Sequence, residues 1–185
     1  MQGQYIFLYR CCVSSHRKSK RLIVMNKPII RPIQKEDNAQ VAAVVRKVLV
    51  DMGAPKVGTA YADEALDTMY EHYDRPKAAY FVVEDNGAII GCAGIAQLDN
   101  YDGNVCELQK MYFLEEARGK GLGSAMMKKC LDTARDFGFE QCYLETMPYM
   151  EAAQKLYKRT GFDYIDGPMG NTGHFSCPVH MLIKL

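Results

Sequence analysis

The chain reads as an α/β (α+β) domain, and three observations carry that reading. Four segments place apolar residues at helical spacing, and short β-rich runs stand between them. A tight-turn pair, Asn86-Gly87, separates two such runs. No linker, internal repeat or low-complexity tract divides the body, and 185 residues with 48% hydrophobic and 24% charged side chains suffice for one substantial core. The order of elements is β-α-α-β-β-β-α-β-α-β-β.

Each element has its own signal. "PIIRPI" (28–33) is a short strand. "EDNAQVAAVVRKVLVDMG" is a helix in which Asp37 or Asn38 can cap the start. Val41, Val44, Val45, Val48 and Leu49 form its apolar face, and Gly53 ends it. "DEALDTMYEHY" (63–73) is a second helix before Pro76. "AAYFVVEDNGAIIGCAGIAQL" is a hairpin about a type I′ turn, and "VCELQKMYFL" (105–114) is the next strand. A helix runs from about Leu122 to Phe137, with Leu122, Met126, Cys130, Ala134 and Phe137 along one side and Gly138 as its stop. "QCYLET" (141–146) is a strand, "MEAAQKLYKRTGF" a helix closed by Gly161, and "FDYI" and "PVHMLIKL" the last strands.

Charge and cysteine content narrow the function classes. The net charge of +1 gives no reason to expect nucleic acid. It is unevenly spread: residues 1–24 carry Arg10, Arg17, Lys18, Lys20 and Arg21 and no acid, leaving the rest at about −4. That segment lacks apolar period. It reads as a basic extension upstream of a working start at Met25, the alternatives being a disordered arm or a transit peptide. The domain is therefore expected over 25–185. Seven cysteines, an odd number without a framework, indicate reduced thiols and a cytoplasmic protein. No apolar stretch approaches the ~18 residues of a membrane span.

The chemistry centres on "ARGKGLGSAMMKK" (117–129), with Gly119, Gly121 and Gly123 at alternate positions between a strand and a helix. A helix N-terminus carries unpaired N–H groups and partial positive charge, so it favours an anion. Arg118 and Lys120 add cationic donors. The loop is thus either a phosphate cradle or a tight turn that needs glycine. A P-loop requires Gly-Lys-Ser/Thr, which does not occur. A dinucleotide fingerprint requires its third glycine where Ser124 or Met126 stands. Those spacings disfavour ATP and dinucleotides.

Arg118-Gly119-Lys120-Gly121-Leu122-Gly123 is instead [QR]-x-x-G-x-[GA]. With its strand-loop-helix setting, the element order from about residue 28 onward and the Leu-Tyr pair before Gly-Phe in "YMEAAQKLYKRTGF", the chain resembles the GCN5-related N-acetyltransferases (GNAT), and among them a small bacterial subgroup. The resemblance implies a mixed, mostly antiparallel sheet of about six to seven strands, splayed in the middle, with helices on both faces. It implies acetyl-CoA as co-substrate, with its pyrophosphate on Arg118, Gly119, Lys120, Gly121, Leu122, Gly123 and Ser124 and its pantetheine along the main chain of Met111, Tyr112 and Phe113. The expected activity is acetyl transfer to a primary amine by direct attack in a ternary complex. The alternative is a non-catalytic acyl-CoA sensor or partner-binding module. No metal, nucleic acid or membrane is expected, and a homodimer is compatible with the pattern.

The resemblance also assigns roles. Tyr157 stands where the family carries an acid for the leaving thiolate; read alone it is a core tyrosine packing its ring. Glu107 stands where some members carry a base; it is a base, an anchor for the acceptor's charge, or neither, and Glu145 competes with it. One departure is Met150, where many members place an asparagine that binds pantetheine. "GNTGHFSCPVH" (170–180) is a glycine-rich turn or an acceptor-site loop with His174 as a polar contact; His174, Cys177 and His180 lack metal-ligand spacing. The acids of 51–76 (Asp51, Asp63, Glu64, Asp67, Glu71, Asp74) are a solvated face or a lining for a cationic amine. Cys106 and Cys142 have no histidine nearby in sequence to make either a nucleophile.

Overall fold

A computed structural model of the protein describes residues 27–185. The basic segment 1–24, Met25, Cys11 and Cys12 lie outside the described residues. Seven strands, β1 (Ile29–Pro32), β2 (Ala79–Asp85), β3 (Ala88–Gln97), β4 (Val105–Phe113), β5 (Gln141–Thr146), β6 (Asp163–Ile165) and β7 (Val179–Lys184), form one sheet. Its spatial order is β1-β2-β3-β4-β5-β7-β6. Every neighbouring pair is antiparallel except β4 and β5, which run parallel. The β2–β3 hairpin turns at Asn86 and Gly87, both with positive φ (52° and 86°), as a type I′ turn demands.

Four helices, α1 (Asn38–Asp51), α2 (Met69–Tyr73), α3 (Leu122–Asp136) and α4 (Glu151–Thr160), cover the two faces. All five apolar residues expected on α1 are buried, with Tyr73 of α2 and Val82 and Cys92 of the sheet. On the opposite face α3 buries Met126, Cys130 and Ala134 as its spacing predicts, with Leu122 and Phe137 partly covered at its ends. Met127 and Leu131 are buried as well, so the apolar stripe is wider than the sequence pattern suggests.

Two local expectations are corrected. Asp37 precedes α1 but its side chain does not cap it. It takes two hydrogen bonds from Arg31 (2.6 and 2.9 Å) and one from the Gln34 N–H (2.7 Å), because a short 3₁₀ turn, Lys35–Asp37, intervenes. Residues 63–73 are not one helix. A 3₁₀ turn, Glu64–Thr68, buries Leu66, and at Thr68 the backbone leaves the helical region (φ −134°, ψ 42°) before α2 begins.

One feature of the sheet positions the site. β4 pairs with β5 only from Val105 to Glu107, opposite Gln141 to Tyr143. β4 then runs on to Phe113 while β5 stays paired with β7. The two central strands part at Glu107, and among the described residues the β5-side edge of β4 beyond it has no strand beside it.

Candidate active site

The parting strands leave a cleft of about 450 Å³ lined by Met111, Tyr112 and Phe113 of β4, Arg118, and residues 149–153, Leu156 and Tyr157 around α4, with Val48 and Met52 of α1 at its edge. The Leu114 N–H donates to Ile90 O of β3 (2.9 Å). Strand alternation therefore turns the N–H groups of Phe113 and Met111 the other way, into the cleft. An extended chain laid here meets a row of main-chain donors, the geometry of strand addition.

The glycine loop closes one end of the cleft. Gly119 and Gly121 both have left-handed backbones (φ 73° and 75°), and Gly121 is the N-cap of α3. A Cβ built on either residue meets no atom within 4 Å, so the space beside the helix N-terminus is open. The first hydrogen bond of the helix runs from Ala125 N to Gly121 O (3.1 Å), leaving the preceding N–H groups free of main-chain acceptors. Gly123 serves packing: its Cβ position lies 3.4 Å from Leu156 Cδ2 of α4. Arg118 reaches back to Phe113 O (3.4 Å), and Lys120 and Ser124 are exposed beside the loop. Open N–H groups, two cations and a vacant Cβ space fit a diphosphate, and the cleft behind fits a narrow apolar arm.

Tyr157 is buried, its ring 6.0 Å from Phe162, and burial pushes its phenol above the ordinary range. Its oxygen has no hydrogen-bond partner among the described residues, and the residue lines the cleft. Met150 also lines the cleft; its thioether has no donor to offer there, and its sulfur accepts from Thr146 Oγ1 (3.7 Å).

Beyond the point of splay lies a polar cluster. Glu107 is 3% exposed, and burial pushes its carboxyl up to about 7 against the pull of Gln109, His174 and Lys110. Gln109 Nε2 donates to Glu107 Oε2 (2.7 Å), and the Tyr73 hydroxyl donates to Gln109 Oε1. Glu145 accepts from the Tyr143 hydroxyl and from Thr172 Oγ1, each at 2.8 Å. Donor atoms of Glu107, Glu145 and His174 all lie within 4.8 Å of one another, a group suited to an ammonium ion or another cation. Cys177 and His180 do not join it; His180 stacks on Tyr143 (6.2 Å).

The cluster is built by a bulge. In a regular strand Lys110 would follow Cys106 and Leu108 into the apolar core. The β3–β4 register shifts between Cys92 and Gly94, and Lys110 adopts φ 48°. Met111 and Phe113 take the core-facing positions, and the Lys110 side chain, 7% exposed, turns its ammonium to Asp63 (2.6 Å). His174 Nε2 meets the same carboxylate at 3.0 and 3.2 Å. Burial works against ionising Asp63, but His174 and Lys110 hold it down at about 2. Burial likewise works against a charged His174, but the bond to Asp63 raises it above its ordinary value. This three-residue clasp joins the α1–α2 connection, β4 and the β6–β7 connection. Ser176 extends it, its N–H donating to Gly58 O and its hydroxyl to Val57 O (both 3.1 Å).

Sequence reasoning finds Glu107, Glu145, His174 and Tyr157 and does not single out Lys110, Gln109, Tyr73, Tyr143 or Thr172. Alternation places Glu107 and Gln109 on one face, a legible signal; the bulge that redirects Lys110 leaves none. Of the acids in 51–76, Asp63 joins the cluster. Asp51, Asp67 and Glu71 pair with Lys47, Arg46 and Lys35 on the surface, so for them the solvated-face reading holds. Cys106 and Cys142 are fully buried, and burial holds the Cys142 thiol well above its ordinary range, against a nucleophilic role.

Comparison with known proteins places this architecture. Residues 49–162 match the profile of the Acetyltransferase (GNAT) family. The chain is 42% identical over 164 residues to an uncharacterized N-acetyltransferase, YjgM, of Escherichia coli K12, covering 88% of this chain and 98% of that protein. An acetyltransferase of the GNAT family from Staphylococcus aureus superposes with a TM-score of 0.75 at 18% identity, over 86% of this chain and 99% of that one. A GNAT-superfamily phosphinothricin acetyltransferase from Sinorhizobium meliloti, solved in complex with acetyl-CoA, gives 0.70 at 18% identity, over 86% and 89%. The expected fold is observed, with seven strands and the central splay.

Proposed function

Since the chain belongs to the GNAT family of acetyltransferases and is an acetyl-CoA-dependent acyltransferase, we propose that it acetylates a primary amine directly in a ternary complex, with Glu107 as base and Tyr157 as acid. The observation that carries this reading is the parting of β4 and β5 at Glu107, which sets an open cleft with a glycine cradle against a buried carboxylate cluster. The acetyltransferase domain is taken as 25–185.

Acetyl-CoA supplies an activated acetyl thioester. The loop 118–124 would hold its diphosphate through main-chain N–H groups and Arg118, and Met111 to Phe113 would hold its pantetheine arm. The chain's own groups then manage charge and protons. An alkyl ammonium with a pKa near ~10.4 must shed a proton before it attacks. Glu107, raised to about 7, is a better match to that task than a solvated glutamate near ~4.3. Glu145 has both oxygens occupied by neutral donors, which suits it to anchor the acceptor's positive charge. The two carboxylates thus divide the work by environment. The cleft-facing N–H groups of Met111 and Phe113 are suited to the carbonyl oxygen as negative charge builds. The Tyr157 hydroxyl, without a partner, is free to donate its proton to the departing sulfur.

Thermal unfolding with acetyl-CoA, coenzyme A, ATP and NAD in parallel tests the cradle. A ligand at 100 times its dissociation constant stabilises by about 2.7 kcal/mol, several degrees at this size. Both coenzyme A species are expected to shift the transition and the nucleotides to leave it unchanged. Thiol release over a panel of alkylamines, polyamines, amino acids and peptide N-termini then tests the acceptor class. Silence across that panel, with coenzyme A bound, would overturn the amine assignment.

A further inference from the structure

Glu107 does not stand alone at the splay. Its Oε2 accepts from Gln109 Nε2 (2.7 Å), and Gln109 Oε1 accepts from the Tyr73 hydroxyl. All three side chains are buried: Glu107 at 3%, Tyr73 at 5% and Gln109 at 8% exposure. Glu107 and Gln109 stand two residues apart on β4 and so share a face, while Tyr73 comes from α2 and packs its ring on Tyr80 (4.8 Å).

The direction of each bond is dictated by chemistry. An amide oxygen only accepts, so the Tyr73 hydroxyl must donate to it. With its oxygen held there, the amide turns its N–H₂ toward Glu107. A donor facing a buried carboxylate favours the charged form. The reversed amide would set an oxygen against that carboxylate, so the acceptor-only carboxylate fixes the amide's orientation, and the Tyr73 hydroxyl, by donating to the amide oxygen, anchors the amide in place.

We propose that Tyr73 and Gln109 form a buried positioning relay that aims an amide donor at Glu107 and so keeps this otherwise desolvated carboxylate available as a base near neutrality. The inference rests on Glu107 acting as the base. It makes Tyr73 and Gln109 positioning residues, since neither faces the reacting atoms. The other groups facing Glu107 are Glu145, Tyr143 and Cys142 on β5, Lys110 on β4, and His174 and Cys177 on the β6–β7 connection. Lys110 and His174 also favour the charged form, but both are bound to Asp63. The amide makes the direct contact.

The test is a carbon-13 titration of the Glu107 side chain in the full-length protein saturated with coenzyme A, the resonance being assigned by its loss in Glu107→Gln. Gln109→Met removes the donor at similar volume. It is expected to raise the Glu107 midpoint by about one pH unit, the size of a single charge-assisted hydrogen bond. Tyr73→Phe leaves Gln109 in place but removes the anchor on its amide oxygen, and is expected to raise the midpoint by about half as much. Coenzyme A affinity stays within about twofold in both, since neither residue lines the cofactor cleft. An unmoved or lowered midpoint in Gln109→Met overturns the relay. A raised midpoint in Gln109→Met with none in Tyr73→Phe removes Tyr73 from it. If Tyr73→Phe fails to fold, Gln109→Met carries the test alone. The base assignment fails separately: if Glu107→Gln turns over an amine of the panel at the full rate, that assignment is lost whatever the titrations show.

Discussion

The two ends of the active-site cleft are built on opposite principles. The proposed cofactor end is mostly main chain: Met111 to Phe113 offer strand N–H groups, and the loop with Gly119, Gly121 and Gly123 offers a helix N-terminus. The proposed acceptor end is mostly side chain: Asp63, Glu107, Lys110, Glu145 and His174 arrive from separate segments and meet by charge and hydrogen bonds. Main-chain recognition needs only local geometry, so it suits a ligand part that does not vary. Side-chain recognition needs the whole fold to converge, and it can be retuned by single substitutions. The cofactor end is thus suited to fixed binding and the acceptor end to chemistry and selectivity.

The sharpest way to break this contrast is Gly121→Val. A branched side chain at φ 75° is strained and enters the open space of the cradle. Coenzyme A affinity is expected to fall at least ~100-fold by calorimetry, about 2.7 kcal/mol or more. Normal affinity in a folded variant would mean the loop does not hold the diphosphate.

Glu107→Gln probes the other end. Turnover is expected to drop about 10²–10⁴-fold, with coenzyme A affinity unchanged. The same substitution has a stability signature. Because the folded carboxyl is raised to about 7, wild-type stability is greatest below the unfolded value of about 4.5 and declines as pH rises through 7. Glu107→Gln removes that penalty, so its transition temperature should exceed the wild type's at pH 8 by several degrees and match it at pH 4.5. In the wild type, kcat/KM should rise through pH 7 as Glu107 ionises.

Tyr157→Phe should lower kcat by about 10²-fold and leave coenzyme A binding within about twofold, because the ring and its packing survive. An unchanged kcat would remove the acid role. Asp63→Asn strikes the clasp. It leaves Lys110 buried without its counter-charge, and a loss of roughly 2 kcal/mol in chemical denaturation is expected, with a raised acceptor KM and little change toward coenzyme A. The smallest effect is expected for Met150→Asn, which returns an amide to the cofactor cleft and should tighten coenzyme A by a few-fold.

The same division explains what could be read in advance. Gly119, Gly121, Gly138 and Gly161 mark turns and helix ends by their backbone freedom, and each stands at positive φ where the chain turns or a helix begins or stops. The α1 and α3 faces follow from apolar spacing, and the Asn86-Gly87 turn from its dipeptide. The readings that failed are those in which the surrounding structure overrides a local preference. Asp37 is a good cap by type but binds Arg31 instead. Residues 63–73 have helical spacing, but Thr68 breaks the segment in two. Lys110, on which the sequence is silent, is turned out of its core-facing parity by the bulge.

By itself the sequence determined the class and order of elements, the bounds of α1 and α3 and the β2–β3 turn within a few residues, and the glycine loop at the start of α3. Those properties depend on side-chain volume, backbone freedom and period over spans of a few residues. Only the tertiary structure decided that β4 and β5 part at Glu107, that Lys110 faces Asp63, and that His174 reaches a carboxylate 111 residues away. Those depend on which distant groups share a buried volume of low dielectric, where desolvation and pairing set each group's charge.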